Sequence, residues 1–594
     1  MVPAVTPAAP MIPVAAVTRT GRSRMDRMGG CLRMGDAPDA ATGRRPAHAA
    51  TSTTDPKITQ PHPNSPAPAR TVQAHPATPA RPAIQDEPTI GRSPVGAQPS
   101  RSWNRDTDRR AELGQKGKSC SCTAHQVSDS HRKGPVLDSA PGIPPVVPGR
   151  LPLLGHGLSM AGSSSRLKFM QDIRAYGPIV RIRLGPKSVA VVNDPTLIHE
   201  MLTRQADAFS KGLLLEGLKL FTRDALPVTE GRVHLERRRQ MQPPFHRQMV
   251  SSYVEKMVST SAPAIDSWDP ATTLDMKTEM QLITQNVVMS ALFSYVPARE
   301  PARVILESVD TVFRAALLRV LLPIRGLETL PTRGNRKIAA ASSALRSGVT
   351  EIIEDHQRRP DSYQDLISLL MNTQDDTGRA LDSNDILSEV TALLAASSET
   401  TAVVLSWLFY ELGRNRDLER RLHEEVDSVL AGGELTADHL GQLPYTGRLV
   451  QETLRLYAPW LLTRQALRDV RLGKTVLPAG TDVIFSPYAV HRDPSLYADP
   501  DRFDPDRWLP DRPQPPREAF LPFGAGKRRC IGDAFAETEA KVVTALIASR
   551  WRLKAAPMRG SVRAVGQMTT QPSRLRMIPE PRTDAPDRSA RSVR

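Results

Sequence analysis

A chain of 594 residues with 40% apolar residues can bury a large core, and its formal net charge of +16 raises nucleic acid as a partner. The charge is spread rather than concentrated: residues 1–140 carry 19 Lys/Arg and 11 Asp/Glu, and the remainder 60 and 52. The later part is therefore only mildly basic for its size, without a dominant Lys/Arg run interleaved with aromatics, which argues against a nucleic-acid-binding surface.

Residues 1–139 contain a single aromatic, Trp103, among many Pro, Ala, Ser, Thr and Arg. So little apolar bulk cannot offset the entropy of ordering, and the segment is predicted to be disordered. Its composition also resembles translated GC-rich sequence, so the alternative is a native start further downstream; an intact mass from the native host matching all 594 residues would exclude that. The first 22 residues are apolar in places, but prolines interrupt them and the basic residues follow the apolar part, the wrong order for a signal peptide. No run reaches the 18 apolar residues of a spanning helix, and the cytoplasm is the expected location. Cys31, Cys120 and Cys122 fall in the same segment, which leaves Cys530 alone in the expected folded part and excludes a disulfide framework or a zinc site there.

Residues 140–582 read as one large domain, followed by a disordered tail at 583–594. After a Pro/Gly-rich entry, "IVRIRL" and "SVAVVN" are two β-rich runs split by Gly185 and Pro186, the pattern of a hairpin. Helical periodicity dominates from Pro195 to Tyr457. One of these helices, spanning 386–412, is nearly apolar except at Ser397, Ser398, Glu399, Thr400 and Thr401; buried polar groups need partners, and the bland explanation is hydroxyls bonding back to helix carbonyls. Strands return in "VLPAGTDVIFSPYAV", and "GDAFAETEAKVV" opens a last helix. The fold class expected is mainly α with a smaller β part.

Cys530 lies in "FGAGKRRCIG", residues 523–532. Gly524, Gly526 and Gly532 allow close backbone approach, Arg528 and Arg529 supply positive charge, and the following helix directs its N-terminal dipole at the sulfur. These features suit a thiolate metal ligand, whereas a lone cysteine in a turn is otherwise an inert buried side chain. The stretch resembles the haem-binding signature of the cytochrome P450 family, F-x-x-G-x-R-x-C-x-G, at Phe523, Gly526, Arg528, Cys530 and Gly532. The resemblance extends over residues 140–582 and implies the cytochrome P450 fold, haem b as cofactor and Cys530 as the thiolate on its iron.

Further matches follow from the same resemblance. In "ETLR" and "FDPDRW", Glu452, Arg455 and Arg507 are similar to the family's structural Glu-Arg-Arg triad. His234 and Arg238, at i and i+4 in "HLERR", together with Arg464 and Arg528, correspond to residues that hold the haem carboxylates. Ala396, Glu399, Thr400 and Thr401 match the oxygen-activating helix, with Ser397 where glycine is usual; Thr400 is implied to stabilise iron-bound oxygen and Glu399 to help relay protons. Leu393, Ala396, Leu461 and Leu462 are the candidate substrate contacts.

The activity implied is insertion of one oxygen atom from O2 into a C–H bond of a hydrophobic substrate. Electrons are expected from a separate ferredoxin and its reductase, docking on a basic surface near Cys530 and Lys527. Several local runs, among them "PLLGHG", "RIRLGPKSV" and "FSPYAVHRDP", are similar to bacterial terpene-oxidising members, which implies a cyclic sesquiterpene substrate in secondary metabolism. Fatty acids and macrolides are the alternative substrates. A haem-thiolate sensor or ligand-binding protein is the non-enzymatic alternative; it would need Cys530 but neither Thr400 nor Glu399.

Overall fold

The computed structural model describes residues 142–297, 299–321, 330–374 and 378–583. The extension 1–139 with Trp103, Cys31, Cys120 and Cys122, and the tail beyond residue 583, lie outside the described residues. The β-rich runs form the expected hairpin. Strands β1 (Ile179–Leu184) and β2 (Lys187–Val192) pair antiparallel from Ile179↔Val192 to Leu184↔Lys187, with Gly185 at a positive φ of 57° in the two-residue turn. With β3 (Phe209–Ser210), β4 (Leu462–Ala466) and β5 (Asp482–Phe485) they make a five-stranded sheet in the order β1-β2-β5-β4-β3. The β2–β5 pair is parallel and the others are antiparallel. Every residue of the central strand β5 is buried, as its run Val-Ile-Phe requires of a strand covered on both faces. The "PYAV" that ends the expected β stretch is instead a helical turn, Pro487–Val490: proline suits the first helical position, and the Ser486 side chain accepts from the Ala489 N–H.

Helices form most of the rest. Five of them carry the site: α1 (Gly231–Met241), α2 (Met276–Phe293), α3 (Ser383–Arg414), α4 (Pro444–Leu456) and α5 (Asp533–Ala548). At 32 residues α3 runs for about 48 Å at the usual rise per residue. Asp382 caps its start by accepting from the Asp385 N–H. The helix is nearly all apolar because it crosses the core: Leu394, Ala402 and Leu405 pack in one cluster with Val287 and Val288 of α2 and Val542, Val543 and Leu546 of α5. At its far end Trp407 stacks on Tyr457, ring centroids 3.9 Å apart. Among the described residues α3 alone is long and apolar enough to cross a membrane, and 72% of that apolar window is buried inside the fold. The architecture is thus mainly α with a smaller β part.

Candidate active site

The cysteine loop depends on glycine at two places. Gly524 and Gly526 hold φ of +69° and +70°, and a Cβ on Gly526 would stand 2.0 Å from the Leu202 carbonyl oxygen, so no other residue fits without moving backbone. The loop closes through the Cys530 N–H, which donates to the Phe523 carbonyl at 3.0 Å, with Phe523 half-buried. Two residues past the cysteine, Gly532 caps α5 and its N–H points at the Cys530 sulfur. Cys530 keeps accessible surface, yet protein surrounds it closely enough that burial pushes its thiol pKa up. Gly532, Arg238 and Arg529 only partly offset that burial; binding a metal cation would deprotonate the thiol outright, so the donor fits a metal-ligand role.

Cations gather beside this loop. His234 is buried on α1, and one turn further Arg238 donates to the Arg529 carbonyl at 2.6 Å, tying α1 to the loop. Arg464 projects from β4 over the face of Phe485, 5.7 Å from the ring centroid, and donates to the Thr463 carbonyl at 2.7 Å. Arg528 donates to Glu230 at 2.6 Å and to the Ala206 carbonyl at 3.0 Å. Burial, then the charges of Lys211, Arg528, Arg238 and Lys527, push the His234 pKa down to about 3, so its ring is neutral at neutral pH. Burial and Arg528 likewise lower Arg464 to about 10. Lys211, Arg464, Arg528 and Arg237, which pairs with Glu389, outnumber the nearby carboxylates Glu230 and Glu389, and such an excess of buried positive charge suits a cofactor that brings carboxylates of its own.

Behind the site, Glu452 and Arg455 of α4 are fully buried. Arg455 donates to both Glu452 oxygens, at 2.8 and 2.9 Å, and to the carbonyls of His491, Pro500 and Arg502. Glu452 also accepts from Trp508 Nε1 at 2.9 Å, the Asp504 N–H at 3.0 Å and Arg507 Nε at 3.5 Å. His491, fully buried, then links this knot to the cysteine loop. Its Nε2 accepts from the Leu521 N–H at 2.9 Å, so Nδ1 carries the proton and donates to the Arg455 carbonyl, also at 2.9 Å. Burial pushes its pKa down to about 3, which keeps that tautomer neutral.

Midway along α3 a stripe escapes burial: Ala396 and Thr400 are exposed and Leu393 and Ser397 half-buried, while Ser398, Glu399 and Thr401 are buried. The hydroxyl of Thr400 donates to the Ala396 carbonyl at 3.0 Å and that of Ser397 to Leu394 at 3.2 Å. Glu399 faces the other way. Its Oε1 accepts from Gln571 Nε2 at 2.6 Å and from the Thr569 hydroxyl, and burial pushes its pKa up.

The structure therefore brings Arg238, Phe523 and Arg528 together at the cysteine loop, with His234 and Arg464 in the field of Arg528, and Glu452, Arg455 and Arg507 in one knot. No hydrogen bond joins Thr400 or Glu399 to that group. Of the candidate substrate contacts, Leu462 is half-buried like Leu393, whereas Leu461 is buried in a core cluster with Leu214, Leu317 and Val320. Lys527 is paired with Asp207. Sequence reasoning passed over Lys211, Glu230, His491 and Trp508; an isolated polar residue gives no periodic signal, and the only sequence cue to Lys211 is the glycine after it.

The sequence model of the family described as Cytochrome P450 matches residues 144–578. Cyclooctat-9-en-7-ol 5-monooxygenase of Streptomyces melanosporofaciens is 36% identical over 439 residues, covering 72% of this chain and 94% of the relative. Cyclooctatin synthase of the same organism is 38% identical over 442 residues, 74% and 95% of the two chains. Pentalenene oxygenase of Streptomyces avermitilis is 35% identical over 433 residues, 72% and 96%.

Proposed function

This chain belongs to the cytochrome P450 family and is a haem-thiolate monooxygenase, and we propose that its substrate is a cyclic terpene. The observation that supports the substrate class is the naming of relatives at 35–38% identity for reactions of cyclooctat-9-en-7-ol, cyclooctatin and pentalenene. The narrower reading, a sesquiterpene, rests on likeness to pentalenene oxygenase alone, and two relatives of slightly higher identity are named for other compounds.

Bound haem b supplies the iron that activates O2, and a thiolate ligand favours O–O cleavage. Cys530 is the proposed thiolate, with the Gly532 N–H donating to its sulfur and so tuning it. His234, as a neutral donor, and Arg464 are proposed to hold the haem carboxylates. Thr400 presents its hydroxyl on the accessible stripe of α3, where giving up its bond to the Ala396 carbonyl frees the proton for oxygen chemistry. Glu399 is proposed to carry protons after leaving Thr569 and Gln571; its raised pKa suits it to hold one. Leu393, Ala396 and Leu462 give an apolar lining that orients a hydrocarbon and excludes water.

The enzyme takes O2 and electrons from a redox partner. A ferredoxin is the proposed carrier, docking near Lys527 and Arg529, and the cytoplasm the proposed compartment. Optical titration of the ferric protein with cyclic terpenes, fatty acids and macrolactones tests the substrate. A saturable spin-state shift with terpenes alone is expected, and a shift with fatty acids or macrolactones alone overturns the terpene reading. Including both pentalenene and cyclooctat-9-en-7-ol decides the size class.

A further inference from the structure

A cleft of about 920 Å³ opens beside the three-stranded sheet of Leu274–Asp275, Arg576–Pro581 and Trp551–Ala555, and no residue of the cysteine loop or of α3 lines it. Arg559, Arg563, Arg574 and Arg576 all line it and all are exposed. Residues 555–579 hold these four arginines and no acidic residue. Asp275 is the one carboxylate in the lining, and its Oδ1 already accepts from the N–H and the hydroxyl of Thr278, both at 3.2 Å, as the cap of α2. Among the described residues none of the four guanidinium groups has an ion-pair or hydrogen-bond partner.

The backbone fixes where these arginines stand. Leu575 and Met577 are buried, so the alternation of an extended chain turns Arg574 and Arg576 together toward solvent. The Met276 N–H donates to the Leu575 carbonyl and the Ala556 N–H to the Arg576 carbonyl, each at 3.0 Å, which seats this strand between its neighbours. Arg563 is tied to Ser573 twice: its N–H donates to the Ser573 hydroxyl at 3.1 Å, and its carbonyl accepts from the Ser573 N–H at 2.8 Å. Gly560, at a φ of +85°, turns the chain between Arg559 and Arg563. Four like charges pinned around one recess repel one another and focus a positive potential in it, and an anion relieves that repulsion. A recess of this volume takes a small ligand. Guanidinium forks bind phosphate oxygens two at a time, and linked phosphates place several such oxygens closer together than carboxylates scattered over a protein face.

We propose that this cleft binds a small anion of two or three linked phosphate groups, free or carried on a nucleoside or an isoprenyl chain. The proposal does not depend on the haem-thiolate reading above. It is tested by calorimetric titration of the full-length holoprotein with inorganic triphosphate at about 0.15 M salt, where weak surface attraction is screened. One site per chain with a Kd on the order of 10 μM is expected, and orthophosphate should bind at least about tenfold more weakly. Arg574→Gln and Arg576→Gln, both at exposed positions that the fold does not need, should each weaken triphosphate about tenfold, the scale of one charge-assisted hydrogen bond. Arg576→Lys, which keeps the charge and loses the fork, should weaken it about fivefold. Lys337→Gln, which removes an exposed charge on a separate helix, should change it less than about twofold. Adenosine triphosphate and geranyl diphosphate, titrated in parallel, separate the sources: tighter binding than inorganic triphosphate by one of them assigns the nucleoside or the isprenyl carrier. No saturable binding of triphosphate, equal affinity for orthophosphate, or equal weakening by Lys337→Gln overturns the proposal. So does tighter binding of polyglutamate than of triphosphate, which would mark the arginines as a docking face for an acidic protein.

Discussion

Glu539 is a carboxyl in the wrong solvent. It sits in the second turn of α5, 1% exposed in the core, and among the described residues the Thr401 hydroxyl on the facing α3 is the one polar group that eases its burial. Burial pushes its pKa up to about 8, against about 4.3 in an unfolded chain. Below pH ~4.3 both states carry the proton and the group has no pH-dependent effect. Between there and pH 8 the unfolded chain releases the proton while the native one keeps it, so stability falls as pH rises, by up to about 1.4 kcal/mol per unit. Across the whole window that is on the order of 4–5 kcal/mol, lost by the time pH passes the native pKa.

Glu539→Gln removes this slope, since the amide is neutral at every pH. Urea denaturation of variant and wild-type holoprotein from pH 5 to 9 isolates the effect, because every other titrating group cancels in the difference. The advantage of the variant over wild type should grow by about 1.4 kcal/mol per unit up to pH 8 and then level off. A constant offset across the range would refute the reasoning, for it would mean that the native carboxyl ionises as readily as the unfolded one. An infrared carboxylic-acid band present at pH 6 and absent from the variant is the independent check.

Arg455→Ala should destabilise the fold by about 3–5 kcal/mol, because it leaves the Glu452 charge buried with fewer donors; denaturant midpoints and haem content per chain measure it, and a loss under 1 kcal/mol would contradict the knot described here. Gly526→Ala must clear a backbone carbonyl and adopt a positive φ, so it should lower haem retention sharply, whereas Gly441→Ala, in open space at an ordinary φ, should not. Cys530→Ser should abolish the thiolate signature in the absorption of the reduced, CO-bound protein while shifting the thermal midpoint little. Thr400→Ala, which removes only a bond within an accessible helix turn, should change stability by less than about 0.5 kcal/mol yet divert electrons from product; unchanged coupling would exclude a catalytic role for the hydroxyl.

Where local chemistry decides, the sequence alone was sufficient. The hairpin at Gly185, the helix that starts at Asp533, the close spacing of Glu452 with Arg455 and the glycine-bounded cysteine all depend on neighbours within a few residues, where backbone stereochemistry and helical spacing leave few choices. The same holds for the long apolar α3, whose burial follows from its composition. The tertiary structure decided the partners. Arg528 meets Glu230 across 298 residues and Glu399 meets Gln571 across 172, and neither pair leaves a periodic trace in the chain. Whether Arg528 is free for a ligand or already satisfied, and whether Lys211 is a surface cation or a buried one, depends on which segments pack together. That packing is driven by non-directional apolar burial, while the polar groups must take whichever partners it brings within reach.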